Sequence, residues 1–307
     1  EIPLRLVGSE MCIRDSFDIV RLMQHLKELF MVTIQNYIRV KSLEEAYQLN
    51  QKKGSCIIGG MLWTKMQNRT ILTAIDLCDL KLDQIEETEN EIIIGSMVSL
   101  RQLELHRGLN NYTQNSVRDA VKDIVGVQFR NLATIGGSIW GRFGFSDVLT
   151  VFLAMDTYVE LYQGGRIPLR EFAGQKPDQD ILVRLIIKKT SGCFSYASVR
   201  NQSTDFPVIA CAASVVGGEY RLSVGARPGR AMLLLDEEGL LSEGLTEDSI
   251  EDFAMWAEKH IPTGSNHRAG AKYRSRLVRV LSQRLLNKLR EEQKWSCLLY
   301  TSDAADD

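Results

Sequence analysis

The sequence predicts an α+β protein made of two domains, and three observations support this prediction. The chain has 307 residues, which is long for one compact core and suits two domains of roughly 100 to 200 residues each. Strand-like and helix-like segments alternate over residues 31–192, as they do in mixed α and β folds. From about Cys193 the pattern changes to short strands joined by glycine turns, followed by a long amphipathic helix.

The composition is that of a globular protein with almost balanced charge. Hydrophobic residues make up 44% of the chain, and 37 basic against 39 acidic residues give a formal net charge of −2. A balance this even gives no general attraction to nucleic acid or to an anionic membrane. No apolar run approaches the roughly 20 residues that span a bilayer. We therefore expect a cytoplasmic protein that binds neither nucleic acid nor membrane.

The cysteines are scattered and predict no metal site. The six cysteines include no C-x-x-C pair, and that pairing is the usual local framework of zinc sites and of cysteine-ligated iron–sulfur clusters. We therefore expect reduced thiols and no metal bound by this chain.

Both ends of the chain differ from the rest. Residues 1–16 and 297–307 resemble translated sequencing-adapter read-through and lack the hydrophobic period of a helix or a strand. Residues 17–30 fit an amphipathic helix but are interpreted as translated upstream sequence. We expect a non-native leader at 1–30, a natural start at Met31 and a non-native tail at 293–307.

Residues 31–85 predict a small unit of strands, a helix and a glycine turn. Residues 32–38 alternate between apolar and polar side chains, as in a half-buried strand. Ser42 and Glu45 have the spacing of a capping box, in which each side chain accepts from the other residue's backbone N–H. The remaining predicted elements are a helix to about residue 51, a short strand at 56–58 broken by Gly59-Gly60, and a strand at 70–75.

Residues 86–192 predict a second α/β unit. Ser99 and Gln102 repeat the capping-box spacing, and Ser146 is placed to cap an apolar helix. An apolar segment at 127–135 runs into Gly136-Gly137, the second glycine pair that interrupts such a segment. The predicted elements are a strand at 91–95, helices from 99, at 116–125 and at 148–155, and a strand at 157–162 that turns at Gly164-Gly165.

Residues 193–292 predict a C-terminal domain with a small antiparallel sheet and helices. We expect a strand at 194–199, a helix after Pro207 and a hairpin that turns at Gly217-Gly218. The final helix has an apolar stripe with a four-residue spacing, formed by Tyr273, Leu277, Leu281, Leu285 and Leu289. The other face of this helix carries Arg274, Arg276, Arg279, Arg284 and Lys288. These charges indicate either a solvated surface or a docking face for a partner subunit.

The signatures of common catalytic sites are absent from the sequence. It contains no G-x-x-x-x-G-K-[ST] phosphate loop, no H-E-x-x-H zinc helix and no G-x-S-x-G nucleophile elbow. Ser138 stands where a G-x-G-x-x-G fingerprint starting at Gly136 needs its second glycine. Two glycine pairs remain, and successive N–H groups in glycine turns form anion-binding concavities. The pairs predict either a diphosphate site or two plain tight turns.

The residues around the second glycine pair resemble one family closely. Residues 130–139 read RNLATIGGSI, with Ser146-Asp147 downstream. This pattern resembles the second flavin loop of the FAD-binding subunit of molybdenum hydroxylases, the family of xanthine dehydrogenase and carbon monoxide dehydrogenase. Further matching segments occur in the family's order, namely IIGG at 57–60, SVR through DF at 198–206, and AKYR at 271–274. The resemblance covers about residues 31–290.

The resemblance implies a fold, a cofactor and partners. The fold is a two-subdomain FAD-binding domain of the PCMH type, with subdomains at about 31–85 and 86–192, followed by the C-terminal domain at 193–292. FAD would lie between the subdomains. An iron–sulfur subunit and a molybdopterin subunit would be the partners, and FAD would pass electrons from the iron–sulfur partner to NAD or oxygen.

The resemblance also implies which residues bind FAD, with no catalytic residue and no metal ligand in this chain. The residues expected at the phosphates are Gly59, Gly60, Thr134, Gly136, Gly137 and Ser138. Asp147 is expected at the ribose or adenine end, because a carboxylate accepts hydrogen bonds from a diol. The full expected set is Ile58, Gly59, Gly60, Met61, Leu62, Trp63, Thr134, Ile135, Gly136, Gly137, Ser138 and Asp147.

Two segments depart from the family pattern. Met61-Leu62-Trp63 stands where a small polar residue usually follows the first glycine pair, so side-chain hydroxyl contacts would be lost and backbone contacts kept. WGRFGF at 140–145 replaces a commoner small and polar stretch. Trp140 or Phe143 would stack on the cofactor or pack in the core. Arg142 would neutralise phosphate charge or lie exposed.

Further expected flavin contacts come from the C-terminal domain, and two alternative functions stay open. The contacts are Tyr196, Arg200 and Asp205, which lie where the family's C-terminal domain approaches the flavin. One alternative function is a self-sufficient FAD oxidase with its own substrate pocket over the flavin. The other is a scaffold subunit that has lost FAD because Met61-Leu62-Trp63 fills the first loop.

Overall fold

The structure, a computed structural model, describes residues 32–303, with side chains over residues 32–293. The predicted leader at 1–30 lies outside these residues. Part of the predicted tail lies inside them, and there the backbone continues the last helix as far as Asp303. No helix within residues 32–303 is both long enough and apolar enough to cross a membrane.

Three sheets organise the described residues. A parallel sheet in the order β1-β3-β2 contains β1 (Thr33–Arg39), β2 (Ser55–Ile58) and β3 (Thr70–Asp76). An antiparallel sheet in the order β4-β5-β8-β6-β7 contains β4 (Ile85–Glu87), β5 (Glu91–Gly95), β6 (Thr157–Leu161), β7 (Gly165–Pro168) and β8 (Leu182–Lys188). A second antiparallel sheet in the order β12-β11-β10-β9 contains β9 (Gly192–Arg200), β10 (Pro207–Val216), β11 (Glu219–Gly225) and β12 (Met232–Leu235).

The helices between residues 32 and 303 are mostly short. They are α1 (Leu43–Asn50), α2 (Leu100–Leu105), α3 (Arg107–Tyr112), α4 (Ser116–Val121), α5 (Val127–Leu132), α6 (Ile135–Trp140), α7 (Asp147–Leu153), α8 (Leu169–Gly174), α9 (Glu247–His260) and α10 (Ala271–Asp303). Short 3-10 turns lie at Thr64–Met66 and Cys78–Leu80.

Capping residues start α1 and α2 at the predicted positions. At α2 the box is complete, because Gln102 N–H donates to Ser99 Oγ at 3.2 Å and Ser99 N–H donates to Gln102 Oε1 at 2.8 Å. At α1 the Glu45 N–H donates to Ser42 Oγ, but the Glu45 carboxylate accepts from Lys41 N–H rather than from Ser42. The capping box predicted at Ser99 and Gln102 is confirmed. At Ser42 and Glu45 the bond to Ser42 Oγ forms as predicted, but the predicted bond from Ser42 N–H to the Glu45 carboxylate is wrong.

The five-stranded sheet and the helices around it enclose the largest apolar core. Ile92 of β5, Phe152 of α7 and Leu185 of β8 are fully buried there, and Phe194 of β9 joins the same core. The sequence patterns missed β8, whose apolar run has little alternation. The domain boundary predicted near residue 193 falls at the start of β9 and stays a prediction.

The helix predicted after Pro207 is wrong, because Pro207–Val216 forms β10. All ten residues of this strand are buried, since the sheet packs one face on the main core and the other against α9 and α10. A strand covered on both faces shows no alternation of apolar and polar residues. A continuous apolar run therefore does not distinguish such a strand from a buried helix.

Two residues of α10 do not follow the predicted pattern. Tyr273 was placed on the apolar stripe but is 54% exposed. Arg274 was placed on a charged surface but is fully buried. Its guanidinium donates to the carbonyls of Val208, Gly264 and Ala269, and to Asn266 Oδ1 at 2.7 Å. Arg274 therefore ties the start of α10 to the start of β10, because its nitrogens recover inside the protein the hydrogen bonds that burial removes.

A buried ion pair fixes α5 against α2. Arg130 Nε lies 2.8 Å from Glu104 Oε2, with side chains 6% and 11% exposed. Burial, the largest influence, raises the pKa of Glu104, but hydrogen bonds and charge from Arg130 and Arg101 outweigh it and hold the pKa below its ordinary value of 4.5. The ionised carboxylate is therefore favoured in the folded protein.

We predict that Glu104→Gln lowers the free energy of unfolding at neutral pH by about 3 to 5 kcal/mol, because it leaves a buried guanidinium without its counter-charge. The folded-state pKa of Glu104 is depressed, so its contribution is present above about pH 4.5 and is lost as the pH falls through the folded-state value. Urea unfolding at a series of pH values measures the effect. A difference from wild type that does not shrink in acid would contradict this prediction, and Asp119→Asn, in an exposed pair with Lys122, is the control.

Candidate functional site

A cavity of about 580 Å³ brings both glycine pairs together. We call it the glycine-loop cavity. One wall comes from the first glycine loop, residues 59–64, which follows β2. A second wall comes from residues 133–148 around α6 and the start of α7, and a third from residues 204–206 of the C-terminal region. Every residue of the expected cofactor-binding set lines this cavity except Ile135, which is fully buried beneath it.

The first glycine loop presents a run of free backbone donors. Within residues 32–303, the N–H groups of Gly60, Met61, Leu62, Trp63 and Thr64 donate to no acceptor. The positive φ of this loop falls on Met61, at 54°, rather than on either glycine. Neighbouring N–H groups that lack protein acceptors form an anion-binding concavity. This loop therefore has the chemistry to bind phosphate oxygens through the backbone alone.

The second glycine pair lies in the first turn of helix α6 and does not form the loop-type glycine turn that the sequence predicts. Thr134 caps this helix, and its Oγ1 accepts from Gly137 N–H at 3.1 Å. The Ile135 and Gly136 N–H groups donate to the carbonyls of Val98 and Ser96, each at 2.8 Å. These donors are satisfied inside the protein, so the second pair contributes packing and a helix start more than free N–H groups.

Glycine is required in these segments because backbone from different parts of the chain approaches closely. A Cβ on Gly60 would lie 1.9 Å from the carbonyl oxygen of Leu132, and a Cβ on Gly136 would lie 2.5 Å from that of Ser96. A Cβ on Gly59 would lie 2.8 Å from Thr134 Oγ1. The two glycine segments are therefore packed directly on each other, and a side chain at Gly60 would force them apart.

An aromatic cluster occupies one end of the cavity. Trp63 lies 6.0 Å from Phe143, 5.3 Å from Phe145 and 5.6 Å from Phe206, measured between ring centroids. The rings of Phe143 and Phe145 are stacked, and all four rings line the cavity. Trp140 instead packs against Phe172 at 5.8 Å while one edge reaches the cavity. Phe145 and Phe206 lie in segments named in the sequence, WGRFGF and the DF at 205–206, but neither was predicted to contact the cofactor, because the two rings meet only in the fold.

Asp147 lies at the start of α7 with both carboxylate oxygens engaged. The Tyr196 hydroxyl donates to Asp147 Oδ1, and Arg200 Nη2 lies 2.8 Å from Asp147 Oδ2. Burial raises the pKa of Asp147, and the nearby Arg200 and Tyr196 offset this only in part. Burial also raises the pKa of the Tyr196 hydroxyl well above its ordinary value. Arg200 lines the cavity directly, whereas Tyr196 is outside its lining and is connected to it through Asp147.

Arg142 and Asp205 have partners within the protein. Arg142 is 5% exposed, and its Nε donates to the Phe172 carbonyl at 3.1 Å, with the guanidinium 3.9 Å above the Phe172 ring. Neither alternative considered for Arg142, a phosphate contact or an exposed side chain, agrees with this position outside the cavity lining. Asp205 lines the cavity and pairs with Arg268 at 3.1 Å.

Two cavity residues gave no signal in the sequence. Arg69 Nη2 donates to Cys56 Sγ at 3.0 Å, and both residues line the cavity beside β2. Neither belongs to a recognisable motif, and the short strands β2 and β3 alone bring them together.

Comparison with known families agrees with this geometry. Residues 30–190, just over half of the chain, match the family described as the FAD binding domain in molybdopterin dehydrogenase. The chain belongs to this family. FAD is therefore its cofactor, and the chain is an FAD-binding component of the molybdenum hydroxylase type of oxidoreductase, as the sequence resemblance implied.

Relatives of this FAD-binding chain are distant in sequence. It is 23% identical over 277 residues to the glyceraldehyde dehydrogenase medium chain of Sulfolobus acidocaldarius, covering 83% of this chain and 98% of that one. It is 26% identical over 216 residues to the uncharacterised protein YgfM of Escherichia coli, covering 69% of this chain and 82% of that protein.

Solved structures share the fold of the FAD-binding chain. A chain of carbon monoxide dehydrogenase from Hydrogenophaga pseudoflava superposes with a TM-score of 0.74 at 21% identity, covering 83% of this chain and 97% of that one. A chain of quinoline 2-oxidoreductase from Pseudomonas putida 86 superposes with a TM-score of 0.71 at 16% identity, covering 86% of this chain and 98% of that one. These likenesses confirm the predicted α+β fold with its C-terminal antiparallel sheet.

We predict that Gly60→Ala destabilises the fold by on the order of 1 to 3 kcal/mol, the usual cost of overpacking, and weakens FAD binding. The added methyl group would collide with the Leu132 carbonyl. Thermal unfolding and visible flavin absorbance after gel filtration measure the two effects. Gly270→Ala is the matched control, because nothing lies within 4 Å of its added Cβ. Normal flavin retention in Gly60→Ala would contradict the packed-loop interpretation.

We predict that Asp147→Asn lowers the free energy of unfolding by about 3 to 5 kcal/mol, because it leaves the buried Arg200 without its counter-charge. Glu91→Gln, in a more exposed pair with Arg166, should cost less than about 1 kcal/mol. Urea unfolding of the two variants and the wild type checks both values. Equal costs for the two variants would show that burial of the Asp147 pair has no energetic consequence.

Proposed function

We propose that this chain is the electron-transfer flavoprotein subunit of a xanthine dehydrogenase-like molybdenum hydroxylase. Its partners are an iron–sulfur subunit and a molybdopterin subunit. Bound FAD supplies the redox chemistry, because it accepts electrons singly from an iron–sulfur cluster and delivers a pair to NAD or oxygen. The chain itself binds and orients the cofactor.

The run of free N–H groups at Gly60–Thr64 carries this proposal. It faces a cavity of about 580 Å³, within the size range of small-molecule sites, in a chain that belongs to an FAD-binding family. A diphosphate accepts hydrogen bonds from successive N–H groups without needing a lysine. The residues present therefore fit the cofactor.

The cavity residues have distinct proposed roles. Gly59, Gly60, Met61, Leu62 and Trp63 hold the diphosphate through their backbone, and Ile58 ends the strand that positions them. Thr134, Ile135, Gly136, Gly137 and Ser138 support this loop from below and border the phosphates. Asp147 accepts from the ribose or adenine end, since carboxylate oxygens already bonded to Tyr196 and Arg200 retain further lone pairs.

The proposed domain organisation separates an FAD-binding domain from a C-terminal domain. We propose an FAD-binding domain at 31–192, with subdomains at about 31–85 and 86–192, and a C-terminal domain at 193–292. The free donors lie in the first subdomain, α6 and α7 lie in the second, and Phe206 closes one end from the C-terminal domain.

The main test compares the chain alone with the chain in its complex. The chain is expressed by itself and together with the iron–sulfur and molybdopterin subunits that we expect neighbouring reading frames to encode. We expect copurification, and bleaching of flavin absorbance by a heterocycle or aldehyde only when all three subunits are present. Bleaching of the lone chain by an alcohol would favour the self-sufficient oxidase. Protein that stays colourless after FAD addition would favour the scaffold.

The electron acceptor is tested on the reduced chain. Photoreduced FAD-loaded protein is mixed with NAD or with oxygen, and the return of oxidised flavin absorbance is followed. The faster reaction identifies the acceptor. Equal and negligible rates with both would contradict the proposed acceptor class.

We predict that Gly137→Val abolishes FAD retention. A Cβ at Gly137 would lie 3.2 Å from Thr134 Oγ1, and a β-branched side chain there would enter the cavity beside the first glycine loop. Fluorescence titration with FAD measures the dissociation constant, and circular dichroism checks that the variant folds. Gly270→Val, outside the cavity lining, is the control. A folded Gly137→Val protein with wild-type affinity would place the diphosphate elsewhere.

A further inference from the structure

A second cavity of about 610 Å³ lies along β12 and shares no lining residue with the glycine-loop cavity. We call it the β12 groove. One side is formed by residues 231–235, and the other side by α8 and the end of α9. Trp256 and His260 of α9 contribute a pair of rings 4.5 Å apart. Leu153 of α7 reaches the groove from the main core.

The strand that borders this groove has an unpaired edge. β12 is the outermost strand of its sheet and pairs only with β11, from Met232 opposite Val224 to Leu235 opposite Arg221. Apart from that pairing, the one backbone hydrogen bond to this strand among the described residues is from Glu237 N–H to the Leu235 carbonyl. The outer edge therefore offers backbone donors and acceptors to another strand.

The groove follows the edge of β12 rather than one of its faces. Successive side chains of a strand point to opposite faces, so a cavity that lies over one face touches alternate residues. The β12 groove touches five consecutive residues, 231–235. It is therefore open to the backbone of the strand along its whole length.

β12 lacks the features that protect other edge strands. Edges are usually guarded by charged residues or proline. Among the described edge strands, β1 carries Arg39, β4 carries Glu86 and Glu87, and β7 carries Arg166 and Pro168. At β9 the Phe194 N–H donates to Gln114 Oε1, so another segment covers part of that edge. β2 is also uncharged, but it lies along the glycine-loop cavity. β12 reads Met-Leu-Leu-Leu with no charge and no proline.

Two arginines at one end of the groove lack carboxylate partners within the described residues. Arg230 lies two residues before β12, and its Nη1 reaches only the carbonyls of residues 173–175, at 3.3 to 3.4 Å. The Arg170 side chain lines the groove from α8 and has no hydrogen-bond or ion-pair partner among residues 32–293. It lies one turn from Gly174 on the same helix face. Glu171 also lines the groove from α8, and Glu237 lies beyond the other end of the strand. The strand's amino-terminal end therefore carries two guanidinium groups against one carboxylate.

We propose that the β12 groove binds an extended, acidic-ended apolar segment of a partner polypeptide, which adds to the sheet as a fifth strand. Main-chain hydrogen bonds to a free edge supply affinity, and flanking pockets supply specificity. The neighbouring strands of this sheet are antiparallel, and an antiparallel segment would bring its carboxyl end to Arg230 and Arg170. Aspartate or glutamate at that end matches the two unpaired guanidinium groups. The groove is a docking site independent of FAD.

The test uses the full chain and a fluorescein-labelled peptide, acetyl-Thr-Val-Thr-Val-Asp-Glu-amide, with a Lys-Lys ending as the matched control peptide. Fluorescence anisotropy should show saturable binding of the acidic peptide and weaker binding of the basic one. Hydrogen exchange should slow at the amides of residues 231–235 that point away from β11 when the acidic peptide binds, because an added strand accepts hydrogen bonds from that edge.

Variants of the chain distinguish addition of the peptide to the edge of β12 from nonspecific hydrophobic binding. Leu233→Lys places a charge on the edge and should weaken binding of the acidic peptide at least about tenfold, while Leu105→Lys, at a 59% exposed leucine outside the groove, should not. Arg170→Glu changes an exposed side chain and should reverse the preference between the two peptides.

Two results would overturn the proposal. One is the absence of saturable peptide binding or of exchange protection at residues 231–235 in the folded wild-type chain. The other is concentration-dependent dimerisation of the chain that Leu233→Lys abolishes, because the occupant of the groove would then be a second copy rather than a partner segment.

Discussion

The close approach of Gly60 to the Leu132 carbonyl is the contact on which the cofactor site depends. A Cβ at Gly60 would lie 1.9 Å from that oxygen, so the first glycine loop can occupy its position only with hydrogen in place of a side chain. The contact sets the distance between the end of β2 and the start of α6. That distance in turn defines the cavity in which the free N–H groups of residues 60–64 are exposed.

The two glycine pairs look alike in the sequence but have different functions in the fold. The first pair leads into a loop whose donors are free, whereas the donors after Thr134 are bonded to Val98, Ser96 and Thr134 itself. Preorganised donors that need no rearrangement bind an anion with little loss of conformational freedom. The second segment contributes to that preorganisation, because its own hydrogen bonds fix Thr134 and its neighbours, against which Gly59 and Gly60 pack.

Local chemistry and the family resemblance allowed the fold class, the Ser99 capping box and the cofactor to be predicted from the sequence. Features formed by distant segments could not be predicted in the same way. The strand β10 has no alternation, since both its faces are buried. Arg274 is buried, although the pattern predicted either a solvated surface or a docking face for a partner subunit. The ring cluster joins Trp63, Phe145 and Phe206, three positions with no shared period, so only tertiary packing shows them as one group.

The buried Arg274 has a consequence for how the terminal helix is connected to the cofactor cavity. Its guanidinium bonds the carbonyl of Val208, two positions beyond Phe206, whose ring closes one end of the cofactor cavity. Between α10 and the Phe206 ring at the end of the cavity there are only one side chain, that of Arg274, and a two-residue stretch of backbone. The start of the long helix and the aromatic end of the cofactor cavity are therefore joined through one buried side chain.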